Sequence, residues 1–86
     1  MAYVVTITPS AYKELSRLPP TIEKRIRKAL TKLSADPFAT GIDVKKLKGR
    51  NHYRLRVGDY RVIYDVRTAE LVILVLEAGH RQHIYH

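Results

Sequence analysis

The chain of 86 residues has no cysteine and no tryptophan, and only one methionine and one phenylalanine. Without cysteine it can form no disulfide and offers no thiolate to a metal, so a reducing compartment is implied and the cytoplasm is the expected location. Long apolar runs are missing too. The longest, Leu71–Leu76, covers six residues, against the roughly 20 needed to span a bilayer. The opening MAYVVTITPS has neither the basic start nor the apolar block of a signal peptide. Acidic residues are scarce: eight Asp and Glu stand against sixteen Lys and Arg, a formal charge of +8 with neutral histidine. A balance this positive points to a polyanionic partner, nucleic acid first and an acidic protein second.

A chain this short builds one core, so residues 1–86 are read as a single domain. YVVTIT (3–8) is rich in β-branched residues and predicts a strand. Thr8-Pro9 is a helix start, and Tyr12, Leu15 and Leu18 are expected to share a face before Pro19-Pro20 intervenes. Ile22, Ile26, Ala29, Leu30 and Leu33 repeat at helical spacing over residues 20–35, with Lys24, Arg25, Arg27, Lys28 and Lys32 between them. Residues 37–51 read as a connector carrying the basic knot KKLKGR. Three strands are then expected, at 52–57, 60–67 and 70–78, with Leu71–Leu76 as a central strand buried on both faces and Gly79 ending it. The predicted class is α+β: an N-terminal strand, an α-helical hairpin and a three-stranded antiparallel meander in one sheet.

The segment YRLRVGDYRVIYDV (53–66) can be worked out residue by residue. Gly58-Asp59 is a two-residue loop suited to a primed turn. It sets Val57 opposite Tyr60, Arg56 opposite Arg61, Leu55 opposite Val62 and Tyr53 opposite Tyr64. Opposed residues project to the same side. Tyr53, Leu55, Val57, Tyr60, Val62 and Tyr64 therefore line a core face, and Arg54, Arg56 and Arg61 line the other. Like charges set opposite one another are destabilising, and forked guanidinium groups suit a phosphate. The bland alternative is a solvated surface partly neutralised by Asp65. The tail EAGHRQHIYH adds His80, Arg81, His83, Tyr85 and His86. Cations, an imidazole and a phenol around one phosphate suit RNA cleavage without a metal. The H-x-x-H-x-x-H spacing has no adjoining carboxylate or thiolate, so neither metal nor cofactor is expected.

LKGRNHYRLRVGDYRVIYDV, followed by a buried strand and GHRQHIY, resembles the RelE/ParE superfamily of toxin–antitoxin toxins over essentially the whole chain, and its RelE branch in particular. The resemblance implies a compact sheet-and-helix-pair fold and metal-independent mRNA cleavage in the ribosomal A site. It further implies a small acidic RelB-like antitoxin partner, in a heterotetramer; that no membrane is involved is expected from the short apolar runs. Carried over by position, it marks Arg54, Arg56, Arg61, Arg81 and Tyr85. The lysines usual before the turn are here Arg54 and Arg56, which stay protonated and so are poor general bases. His83 is the expected acid or base, and His80 the reserve. The catalytic set is thus Arg56, Arg61, Arg81, His83 and Tyr85. Arg54, His80, Lys45, Lys46 and Lys48 are assigned to binding mRNA and ribosomal RNA. The rival expectations are a ParE-like poison of DNA gyrase, a non-catalytic nucleic-acid-binding module and an inactive partner of the antitoxin.

Overall fold

The computed structural model describes residues 2–38, 41–47 and 52–80. Lys48, Arg81, His83, Tyr85 and His86 lie outside these. The elements run β1 (Val4–Ile7), α1 (Pro9–Ser16), α2 (Pro20–Ala35), β2 (Val44–Lys46), β3 (His52–Val57), β4 (Tyr60–Arg67) and β5 (Val72–His80). The strands form one sheet in the order β1-β5-β4-β3-β2. β1 is parallel to β5 and every other pair is antiparallel.

Both helices pack on the same side of this sheet. Thr8 caps α1 by accepting a hydrogen bond from the Ala11 amide at 3.2 Å, and Pro9 occupies a position whose N–H has no helical partner. The buried face of α1 is Ala11 and Leu15, one turn apart, whereas Tyr12 is 59% exposed. The expected Tyr12 stripe is therefore wrong by one position. The methyl group of Ala11 lets the helix approach the sheet, and Tyr12, about 100° further round, points away. In α2 the expected stripe holds: Ile26, Leu30 and Leu33 are buried, and Ile22 and Ala29 pack at its margin. These helical residues meet Leu55, Val57, Val62, Tyr64, Ile73, Val75 and Ala78 from the sheet.

The β3–β4 register is the expected one, from His52 opposite Asp65 to Val57 opposite Tyr60. Gly58 takes φ of 59°, and Asp59 is not among the positive-φ residues, the pattern of a II′ turn. Three expectations need correction. Residues 44–46 are a strand, so the meander has four strands. This edge strand is too short to show alternation in the sequence, and its place depends on the Arg56 amide bonding to the Asp43 carbonyl at 2.9 Å. The central strand is β4, with Arg61, Val62, Ile63 and Tyr64 all buried. β5 alternates instead, Ile73 and Val75 buried and Leu74 and Leu76 half-buried, and begins only after Leu71, whose φ of 55° closes the preceding turn. Finally, β5 runs straight through Gly79 to His80.

Tyr64 stacks on Tyr53 with ring centroids 5.6 Å apart, and its buried hydroxyl has no partner among the described residues. Burial first, and the Tyr53 phenol second, push the Tyr64 phenol well above its ordinary value. The folded form thus keeps a proton that the unfolded chain loses above about pH 10. Stability should be whole below that pH and fall above it, by up to about 1.4 kcal/mol per pH unit. Tyr64→Phe removes both this penalty and an unpartnered hydroxyl worth about 1–3 kcal/mol. It is expected to be at least as stable at neutral pH and to stay folded further into alkali, as read by urea denaturation in both conditions.

Candidate functional site

The face of the sheet away from the helices carries the arginines. Two ranks of opposed residues cross it. Lys45, Arg54, Ile63 and Glu77 form one, and Arg56, Arg61 and Gly79 the other. Asp43 precedes β2 at the end of the second rank and binds Arg56, Nε to Oδ2 at 2.6 Å, with both side chains half-exposed.

Arg61 differs from its neighbours. It lies on the central strand and is only 8% exposed. Its guanidinium folds back over the turn, where Nη1 donates to the Gly58 and Tyr60 carbonyls, each at 3.2 Å. Its Nε is buried without a partner among the described residues. Opposite it on β5 stands Gly79, which adds no side chain to this part of the face. A buried cation held by two carbonyls and keeping a spare donor is suited to receive an anion.

The face is less naked than its composition implied. Asp43 partners Arg56, a carboxylate that sequence reasoning missed because it lies in the unrecognised edge strand's approach. Asp65 pairs with Arg67 at 3.4 Å rather than with Arg61. Lys45 stands beside Arg54 as a surface cation, whereas Lys46, opposite Tyr53, projects to the other side; the basic knot is split by strand alternation. His80 is also elsewhere. It pairs with Tyr60 and meets that ring edge-on at 5.3 Å on the helix side of the sheet, so it does not join the arginines.

A second basic surface lies between α2 and β3. A groove of about 340 Å³ has Arg25, Lys28, Lys32 and Arg56 around a floor that includes Ala29, Leu55 and Val57. It joins the helix cations to the arginine face through Arg56. No helix among the described residues is long and apolar enough to cross a membrane.

Residues 5–85 match the family model described as the ParE toxin of type II toxin–antitoxin systems. The toxin RelG of Mycobacterium tuberculosis is 31% identical, over 99% of this chain and 98% of that protein. The mRNA interferase toxin RelE of Escherichia coli K12 is 29% identical, over 95% of this chain and 86% of that one. Among solved structures, the archaeal RelE–RelB complex of Pyrococcus horikoshii contains a chain with a TM-score of 0.83 and 36% identity, over 96% of this chain and 99% of that one.

Arg61 is expected to cost the fold more than it contributes, because burying a charged group with an unmet donor is unfavourable. Arg61→Met, similar in length and apolar, should leave stability unchanged or raise it by about 1 kcal/mol. Inorganic phosphate should stabilise the wild type and not this variant. Urea denaturation with and without phosphate reads both effects; a loss above about 2 kcal/mol on substitution would make Arg61 a structural residue.

Proposed function

The chain belongs to the RelE/ParE superfamily of type II toxin–antitoxin toxins, on its RelE-like side, and from that membership we propose that it is a ribosome-dependent mRNA endoribonuclease. The observation that carries the reading is Arg61: a buried guanidinium with an unmet donor, beside Gly79 and directly opposite Arg56. Support for the activity comes from the relative named an mRNA interferase, aligned over nearly the full chain.

The chemistry is an attack of the ribose 2′-oxygen on the adjacent phosphorus. A base takes the 2′-OH proton, and the bond from phosphorus to the 5′-oxygen breaks as an acid protonates that oxygen. Charge accumulates on the phosphoryl oxygens, where fixed cations act. Arg61 takes that role. Arg56, held at Nε by Asp43, presents its Nη groups to the same phosphate, and Arg54 positions the backbone. Arg81 joins the transition-state contacts, His83 acts as acid or base and Tyr85 orients or stacks on a base; these three are assigned from the sequence pattern alone. None of these steps calls for a metal.

The basic groove and Lys45 serve ribosomal RNA, with Lys48 joining them from the sequence. Work on translating ribosomes belongs in the cytoplasm. The solved relative is a complex with RelB, and a +8 chain suits an acidic antitoxin of that kind electrostatically. The ParE description of the family model favours one alternative, a gyrase poison without nuclease chemistry.

Primer extension on an mRNA with and without ribosomes separates the readings. Cuts in reading-frame register, on ribosomes only, are expected. The folded double variant Arg61→Ala/Arg81→Ala should cut at least about 100-fold more slowly. Growth arrest by wild-type protein that makes no cuts would replace this reading with the gyrase one.

A further inference from the structure

The pairing of Arg61 with Gly79 depends on a single extra residue. Along β4 and β5 the register runs evenly from Arg67 opposite Val72 to Tyr64 opposite Val75, and then jumps, with Ile63 opposite Glu77. Leu76 has no counterpart on β4. Without this bulge the even register would continue, placing Glu77 opposite Val62 on the core face and Ala78, with its methyl group, opposite Arg61. The bulge reverses the facing of everything after Leu76. It sends Glu77 to the outer face, buries Ala78 and sets Gly79 beside Arg61.

Bulges interrupt ladder hydrogen bonding and leave backbone groups to be satisfied elsewhere. Here α1 supplies the partners. Thr8, the N-cap of α1, donates from Oγ1 to the Leu76 carbonyl at 3.4 Å, just past the point where its amide closes the β1–β5 ladder on the Val75 carbonyl at 3.1 Å. The Ala78 amide donates to Glu14 Oε1 at 3.3 Å. Glu14 is half-buried and lines a cleft with Tyr60, Ala78, Gly79 and His80. It is the one acidic residue of α1.

We propose that Glu14 is a positioning residue: by accepting the Ala78 amide it fixes the β5 bulge, and so keeps Gly79, and no side chain, beside the Arg61 guanidinium. It acts from the helix side of the sheet and touches neither substrate nor arginine. The proposal rests on the nuclease reading for its activity readout, and on the fold alone for its structural one.

Two variants test it. Glu14→Gln keeps an oxygen acceptor and loses the charge, whereas Glu14→Ala loses both. In Glu14→Ala, exchange of the Ala78 amide should quicken at least about tenfold while α2 and β3 amides hold their protection. The cleavage rate on saturating ribosomes should fall by about ten- to a hundredfold, with the concentration for half-maximal rate unchanged. Glu14→Gln should stay within about threefold of wild type in both readouts. Protected Ala78 amide in Glu14→Ala overturns the proposal, as does a wild-type cleavage rate in that variant. A Gln variant as impaired as the Ala variant overturns it too, by making charge the relevant property. Should wild type make no cuts on ribosomes, the nuclease reading fails by itself, and the amide exchange of the two variants still decides for or against the clamp.

Discussion

The backbone pairing of β3 with β4 places Arg56 next to Arg61, and two guanidinium groups on adjacent strands repel. What holds them there is the opposite face of the same two strands. Leu55, Val57, Val62 and Tyr64 are buried against the helices, and a slip of one residue would turn all of them outward and the arginines inward. The core therefore enforces the arginine pair. Local groups relieve what repulsion remains: Asp43 takes Arg56, and the Gly58 and Tyr60 carbonyls take Arg61. The II′ turn contributes here as well, since it fixes the register and supplies one of those carbonyls.

Such an arrangement spends stability in a domain with little to spare. A chain of this size buries only a modest fraction of its surface, and its native state lies a few kcal/mol below the unfolded one. Among the described residues, the Arg61 Nε and the Tyr64 hydroxyl both work against it from inside. They differ in kind. The hydroxyl sits in the core and has no chemistry to do in the proposed reaction. The guanidinium sits on the outer face at the middle of the sheet, where an anion would supply the missing acceptor. In the proposed reaction its cost in the free protein would become affinity for the phosphate.

The hairpin was legible in the sequence because strand alternation has a period of two and a Gly-Asp loop fixes where the count begins. The same arithmetic placed Arg54, Arg56 and Arg61 on one face. It failed where the period itself breaks. The bulge at Leu76 hides inside an unbroken apolar run, so nothing in composition marks it, and the facing of His80 depends on it; the continuation through Gly79 depends instead on pairing with Arg61. β2 escaped notice since three residues cannot display a pattern. Tyr12 was misplaced because an eight-residue helix offers too few turns to distinguish a stripe at 11 and 15 from one at 12 and 15. Asp43, the partner of Arg56, could be found only from pairing across a connector. These are all tertiary facts, settled by what a segment lies against.

A sheet with helices on one side has a single face available for large ligands, and here that face holds the cations. Among the described residues the helices approach it only at the β3 side, where the α2 cations share a groove with Arg56. Elsewhere their influence must pass through the sheet, and a regular ladder would transmit little, because every backbone group is already engaged within it. The bulge changes this by freeing groups on β5 that α1 can hold, through Thr8 and Glu14. Residues behind the sheet thereby determine which β5 residue stands beside Arg61 in front of it. The helical layer then has two roles, covering the core and setting the local register of the opposite face, and the second follows from one unpaired leucine.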